Sequence, residues 1–184
     1  MTTCCIEPYF RKHFSGHTAS VASGLFDLTP AVTRFNPSEL AGIQLNEEWV
    51  LGPRLNIISG LSGSGKTRVL DAMKGQCRLP PNLHPPATVD FTGKSMGQAV
   101  LILTDIMLHI QPTGTCLFLD DVFGFLDQES TAHVCRLLQS HVKQIVLTVN
   151  SHAESLVMTL CESPMALCFH LPLIPPEQTG TRHA

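Results

Sequence analysis

Asn56-Ile57-Ile58-Ser59-Gly60-Leu61-Ser62-Gly63-Ser64-Gly65-Lys66-Thr67 is the stretch on which the reading of this chain turns. From Gly60 to Thr67 it fits the phosphate-binding pattern G-x-x-x-x-G-K-[ST] at every position. Each residue type has a reason. Glycines let a backbone wrap an anion and turn successive N–H groups inward. A helix that follows presents its positive N-terminal end to the same anion. Lys66 supplies a point charge for β- and γ-phosphates, and Thr67 a hydroxyl for Mg²⁺. The plain alternative is a chance glycine-serine turn.

The flanks argue against chance. Leu55 to Ser59 reads as a short buried strand. Thr67 to Lys74 reads as a helix with Val69, Leu70 and Met73 on one side and Gly75 as its stop. Strand, glycine loop and helix stand in the required order.

Bulk properties set the frame. A chain of 184 residues suits one domain, or one domain with a tail. Apolar residues make up 43% and charged residues 15%, which fits a globular core rather than a disordered chain. A net charge of −3 gives no global attraction to nucleic acid. Arg11, Lys12, Arg54, Arg68, Lys74, Arg78 and Lys94 read as solvated surface charge. The cysteines number 7 and are scattered, with no secretory signal at the start, so free thiols in a reducing compartment are expected. Ala99 to Ile110 is too short and too polar to cross a bilayer, so no membrane insertion is expected.

Residues 1–40 carry weak signals and read as an N-terminal extension, with Thr18 to Gly24 as a linker. Cys4, Cys5, His13 and His17 lack zinc spacing. Ile43 to Leu45 and Trp49 to Leu51, joined by Asn46-Glu47-Glu48, suggest a small antiparallel β-ribbon. Phe35 reads as core, with adenine stacking as the alternative. Gln76 to Pro86 is a proline loop, and Ala87 to Phe91 a short strand. Ser95 and Gln98 form a capping box for a helix over Gly97 to Ile110.

Thr115 to Asp121 is an apolar run closed by Asp120 and Asp121, which reads as a buried parallel strand with two acids at its C-terminal end. Ligands of open α/β sheets sit at that end. One acid can orient Mg²⁺ and the next can polarise a water. Alternatively, the pair merely caps the strand. Gln128 to His141 reads as an amphipathic helix, Gln144 to Val149 as a strand, Ala153 to Cys161 as a helix and Met165 to His170 as a last strand. His152 stands between the last two strands, where a capping or solvated histidine is the bland reading. Residues 172–184 read as a flexible tail.

Taken together these motifs resemble the ATP-binding-cassette (ABC) class of P-loop ATPases. Gly60 to Thr67 looks like Walker A, and Cys116 to Asp121 like Walker B. Phe125-Leu126-Asp127 is similar to the D-loop, and Ser95-Met96-Gly97-Gln98 to the signature motif. His152 resembles the switch histidine. The resemblance spans residues 41–171 and points within the class to the soluble SMC/RecF heads, on Leu55 to Gly60 and Arg68 to Ala72. It has no room for a helical arm between Thr67 and Ser95. Asp121 stands where the family usually has glutamate, Met96 replaces a glycine, and Gln76 follows the loop helix too closely for a Q-loop.

The resemblance implies an α/β P-loop NTPase fold, a three-layer α/β/α arrangement on a mostly parallel sheet. It implies ATP and Mg²⁺ as cofactors, and a head-to-tail homodimer or heterodimer closing around ATP. Gly60, Leu61, Ser62, Gly63, Ser64, Gly65, Lys66, Thr67 and Arg68 would hold one nucleotide. Ser95, Gly97, Gln98 and Asp127 would face the nucleotide of the other subunit. Thr67 and Asp120 would hold the metal, while Asp121, His152 and Lys66 act in catalysis. A protein partner is expected, DNA is a candidate partner through repair or chromosome maintenance, and a cytoplasmic or nuclear location follows. Three rivals stand beside an active ATPase: a slow nucleotide-dependent switch, a transporter subunit, and a small-molecule kinase. The kinase would need a cationic lid, and only Arg136 and Arg182 among arginines follow Asp121.

Overall fold

The computed structural model describes residues 14–37, 40, 47–74, 89–151, 153–162 and 164–172. In chain order the elements are β1 (Phe14–Ser15), α1 (His17–Ser23), β2 (Phe26–Pro30), β3 (Arg34–Phe35) and β4 (Trp49–Val50). β5 (Leu55–Gly60), α2 (Lys66–Lys74), β6 (Val89–Asp90) and α3 (Met96–Ile110) follow. The chain continues through β7 (Thr115–Leu119), a 3₁₀ turn (Val122–Phe125), α4 (Gln128–Ser140), β8 (Gln144–Asn150), α5 (Glu154–Cys161) and β9 (Leu167–Leu171).

The main sheet has five strands in the order β2-β7-β8-β5-β9. Four run parallel, and β2 pairs antiparallel to β7 at one edge. The fold is therefore α/β with a mixed, mostly parallel sheet. Strand residues alternate between two cores. Leu55, Ile57, Leu117, Leu119, Ile145 and Leu147 face one that also takes Ala22, Leu103, Leu138 and Leu160, so α1, α3, α4 and α5 share that face. Ile58, Cys116, Phe118 and Val146 face the other, with Val69, Leu70 and Met73 of α2 and Trp49 of β4. Strands covered on both sides read as continuous apolar runs, which is how β5, β7 and β8 read in the sequence.

Two buried amides fasten the ribbon to the sheet. Gln144 accepts from Val32 N through Oε1 and donates to the Val32 and Gly52 carbonyls, taking the place of a strand. Asn56 accepts from Gly52 N at 2.7 Å and donates to carbonyls of Gly52, Arg54 and Ile145. Such amides are tolerated in a core because their polar atoms are paired.

Four expectations are corrected here. Thr18 to Gly24 is not a linker, because α1 occupies residues 17–23 and packs on α3. Residues 26–30, assigned to an extension ending near residue 40, form a full edge strand in register with residues 115–119. The ribbon pairs Arg34–Phe35 with Trp49–Val50. Its expected first strand, 43–45, lies outside the described residues, as do Gln76, the proline loop as far as residue 86, and the tail from 173. Finally, the cysteines are not all free: Cys161 and Cys168 form a disulfide between the end of α5 and β9. Cys116 and Cys135 are buried thiols, and burial pushes both up, Cys135 to about 11, which leaves them unreactive.

No helix among the described residues is long and apolar enough to cross a membrane.

Candidate functional site

All four parallel strands point their C-terminal ends the same way, and the site lies at that end. β5 delivers Gly60, and the chain turns through the glycine loop into α2. Gly63 and Gly65 take φ of 82° and 92°, left-handed values that favour glycine. Gly60 is needed for a different reason. A Cβ there would sit 2.9 Å from the Leu171 carbonyl of the neighbouring strand and would collide with Ser64 Oγ. Ser64 is buried beneath the loop, and its hydroxyl has no hydrogen-bond partner among the described residues. Lys66 Nζ bends back over the loop and donates to the Gly60 and Leu61 carbonyls, at 2.8 Å each. The Gly60 carbonyl also accepts from Ser151 N, which locks the loop to the end of β8.

β7 delivers Asp120 and Asp121 to the same end. β8 lies between β7 and β5, so the acids stand one strand away from the loop strand. Asp120 N donates to the Leu25 carbonyl at 2.8 Å, and Asp120 Oδ1 accepts from Thr148 Oγ1 at 2.7 Å. Asp121 leaves the strand in a left-handed conformation, φ 49° and ψ 34°, and begins the 3₁₀ turn. Aspartate is among the few residues that tolerate this region.

A cleft of about 360 Å³ lies between loop and acids, lined by Ser62, Gly63, Gly65, Lys66, Thr67, Arg68, Asp120, Asp121 and Asn150. A larger hollow of about 450 Å³ at the opposite end of the sheet, beside Ala31, Pro53 and Val142, is mostly apolar and far from this chemistry. The electrostatics tie the two halves of the cleft together. Partial burial lowers the Lys66 pKa, and the carboxylates of Asp121 and Asp120 oppose that shift. The Asp121 side chain is exposed and lines the cleft. Partial desolvation by its neighbours raises its pKa, Lys66 pulls it back, and Asp120 adds to the rise.

These groups suit a polyphosphate carrying Mg²⁺. The left-handed glycines and the start of α2 supply backbone donors, Lys66 and Arg68 supply positive charge, and Thr67 and Asp120 offer hard oxygen ligands. Among the described residues no three His, Cys, Asp or Glu side chains gather into a metal cage. A Mg²⁺ here would draw its remaining ligands from phosphates and water, its usual habit.

The other expected residues stand elsewhere. Ser95 and Gln98 make the full capping box of α3: Gln98 N donates to Ser95 Oγ at 3.2 Å, and Ser95 N donates to Gln98 Oε1 at 3.0 Å. Gly97 packs against the 3₁₀ turn, where a Cβ would lie 2.5 Å from the Phe125 carbonyl. Asp127 caps α4 by accepting from Ser130 N at 2.8 Å, and that bond holds its carboxyl below the usual range. None of these four lines the cleft. His152 lies outside the described residues. Phe35 tilts against Trp49, which stacks on Phe169 at 4.8 Å, so it belongs to an aromatic cluster of the second core.

Sequence reasoning missed Thr148 and Asn150. Thr148 had a signal, since it is the one polar residue in the apolar run Ile145 to Val149. Asn150 had none beyond its place at the end of that run. No family model, no curated protein and no solved structure matches the chain, so the site's own chemistry has to carry the functional argument.

Proposed function

We propose that the chain is a Mg²⁺-dependent ATP-binding head of the P-loop NTPase type, similar to the compact ABC-class heads, that hydrolyses ATP slowly. One observation carries this reading: Lys66 of the glycine loop and the Asp120–Asp121 pair, far apart in sequence, line one cleft at the C-terminal end of one sheet. The loop's backbone and Lys66 hold the β- and γ-phosphates, and Lys66 exchanges its two carbonyl partners for phosphate oxygens. Thr67 and Asp120 would hold Mg²⁺, which when bound would neutralise phosphate charge. Asp121 orients a water and accepts its proton. Phosphoryl transfer rests on positioning and charge, so no covalent nucleophile is required.

A switch that turns over little has its own support. Asp121 is shorter than glutamate, and the polar groups of Ser95 and Gln98 already satisfy each other. In both readings the heads pair head-to-tail around ATP and act on a protein partner, with DNA as a candidate. Steady-state turnover with and without duplex DNA separates motor from switch. Sizing of Asp121→Asn with Mg²⁺ and ATP tests the pairing: a dimer is expected, and a monomer alone would remove the head-to-tail arrangement for the isolated chain.

A further inference from the structure

We propose that Thr148 is the positioning residue of the acid pair, holding the Asp120 carboxylate and the Asp121 backbone through one hydroxyl. The proposal rests on the reading of the cleft as a Mg²⁺–nucleotide site. Thr148 lies on the central strand β8 and is 0% exposed. In the parallel pairing of β7 with β8, Leu119 stands opposite Leu147, so the next residues, Asp120 and Thr148, meet where β7 ends. On its other side Thr148 stands opposite Ile58 of β5. The hydroxyl therefore sits between the strand that carries the acids and the strand that carries the phosphate loop.

Its two bonds have fixed directions. A hydroxyl has one proton and accepts through its lone pairs. The backbone N–H of Asp121 can only donate, and it does so to Thr148 Oγ1 at 2.8 Å. The hydroxyl proton then goes to Asp120 Oδ1 at 2.7 Å. One atom thus holds the Asp120 carboxylate by one oxygen and the Asp121 backbone by its amide. The second hold matters because Asp121 adopts a left-handed backbone, a conformation that persists only where the surroundings impose it. The chain gains nothing from a polar atom in this apolar strand unless it is paired, and both of its bonds go to the acid pair. Supporting hydrogen bonds of this kind orient metal-binding carboxylates, and their loss costs about 10- to 100-fold in metal affinity or activity.

The test compares Thr148→Val, which keeps the shape and removes both bonds, with Thr148→Ser, which keeps the hydroxyl. Mn²⁺ serves as the spectroscopic probe. Its affinity for the 184-residue chain with a non-hydrolysable ATP analogue is measured by electron paramagnetic resonance, alongside kcat and KM for ATP. For Thr148→Val we expect Mn²⁺ affinity and kcat each to fall about 10- to 100-fold. KM should change little, because the phosphate loop is untouched. Thr148→Ser should restore both to within a few-fold of the wild type. If the valine variant does not fold, Thr148→Cys replaces it, with a weaker donor in the same place and an intermediate loss. Wild-type Mn²⁺ affinity and kcat in the folded Val or Cys variant would overturn the assignment alone, as would equal losses in Ser and Val. A wild-type chain that binds no Mn²⁺ with the nucleotide would overturn the reading of the cleft, and this assignment with it.

Discussion

Asp121 concentrates the chemistry of the site in one residue. Its backbone is held left-handed, its side chain reaches the cleft, and partial desolvation raises its pKa. A base must be ionised to take a proton, so this shift has a predictable sign. The acid limb of the kcat/KM–pH profile, which reports the free enzyme, should lie above the ordinary carboxylate range of about 4. Asp121→Asn should reduce kcat by about 10²- to 10⁴-fold and leave Mg²⁺–ATP affinity close to wild type. Stopped turnover assays across pH and a binding titration check both parts. A profile flat down to pH 4, or an asparagine variant at full speed, would remove Asp121 from the base role. At this scale the sequence was informative wherever a residue type has one use. Lys66 and the two acids were readable because few structures place them after a glycine loop and at a strand end. Thr148 was harder to read, because a threonine in a strand is ordinary and its importance comes from the register of two strands distant in sequence.

At the scale of the element, α3 shows how two readings of one stretch can be separated. Ser95, Gly97 and Gln98 resemble a signature motif, yet each also has a local structural task. Ser95 and Gln98 close the capping box, and Gly97 admits the Phe125 carbonyl. Ser95→Ala removes the cap and should cost about 1 kcal/mol of stability. If Ser95 serves only the helix, ATP affinity and turnover will stay within a few-fold of wild type once the variant is folded. A large loss of turnover at unchanged stability would show that Ser95 also meets nucleotide from a second subunit. Urea denaturation paired with a turnover assay distinguishes the two. The cap was legible because Ser-x-x-Gln before an apolar run is a local signal. α1 was not: its residues are small and polar, and the helix gains its place by laying Ala22 against the core beside α3. β2 escaped notice for a similar reason. Its Asp27 is buried beside Lys74 of α2, 3.8 Å away, and a charged residue in a short run masks a strand. Propensity is local, and tertiary packing overrides it at both places.

The two ends of the sheet differ: the proposed phosphate site lies at the C-terminal ends of the strands, and a polar clasp at the other end. In that clasp Gln111 Nε2 donates to the Thr115 and Gln144 carbonyls, so its Oε1 is left to accept from His141 Nε2 at 2.8 Å. Arg54 donates to the His141 carbonyl and Lys143 to the Gln111 carbonyl. Burial lowers the His141 pKa, and the cations Lys143 and Arg54 add to that effect. The folded chain therefore favours neutral His141, while the unfolded chain takes up its proton at the ordinary histidine pKa, near 6.5. Stability from this site is fully present above that pH and is lost as pH falls below it. Urea midpoints at pH 8 and pH 5.5 should fall further for wild type than for His141→Gln, and equal falls would discount the clasp as the cause. The parallel sheet and the order of its motifs were legible because each buried strand is a continuous apolar run. The antiparallel edge and the Cys161–Cys168 bond were not, since both depend on contacts that only the assembled fold creates. The central claim is that this sheet presents a Mg²⁺–ATP site. Calorimetric titration of the full chain with the non-hydrolysable ATP analogue and Mg²⁺ tests it most directly. Wild type should bind one nucleotide per chain, and Lys66→Ala should bind at least about 10-fold more weakly while melting as wild type does, the loss expected for one charge-assisted phosphate contact. Equal affinity in the two chains, or no binding in either, would contradict the account.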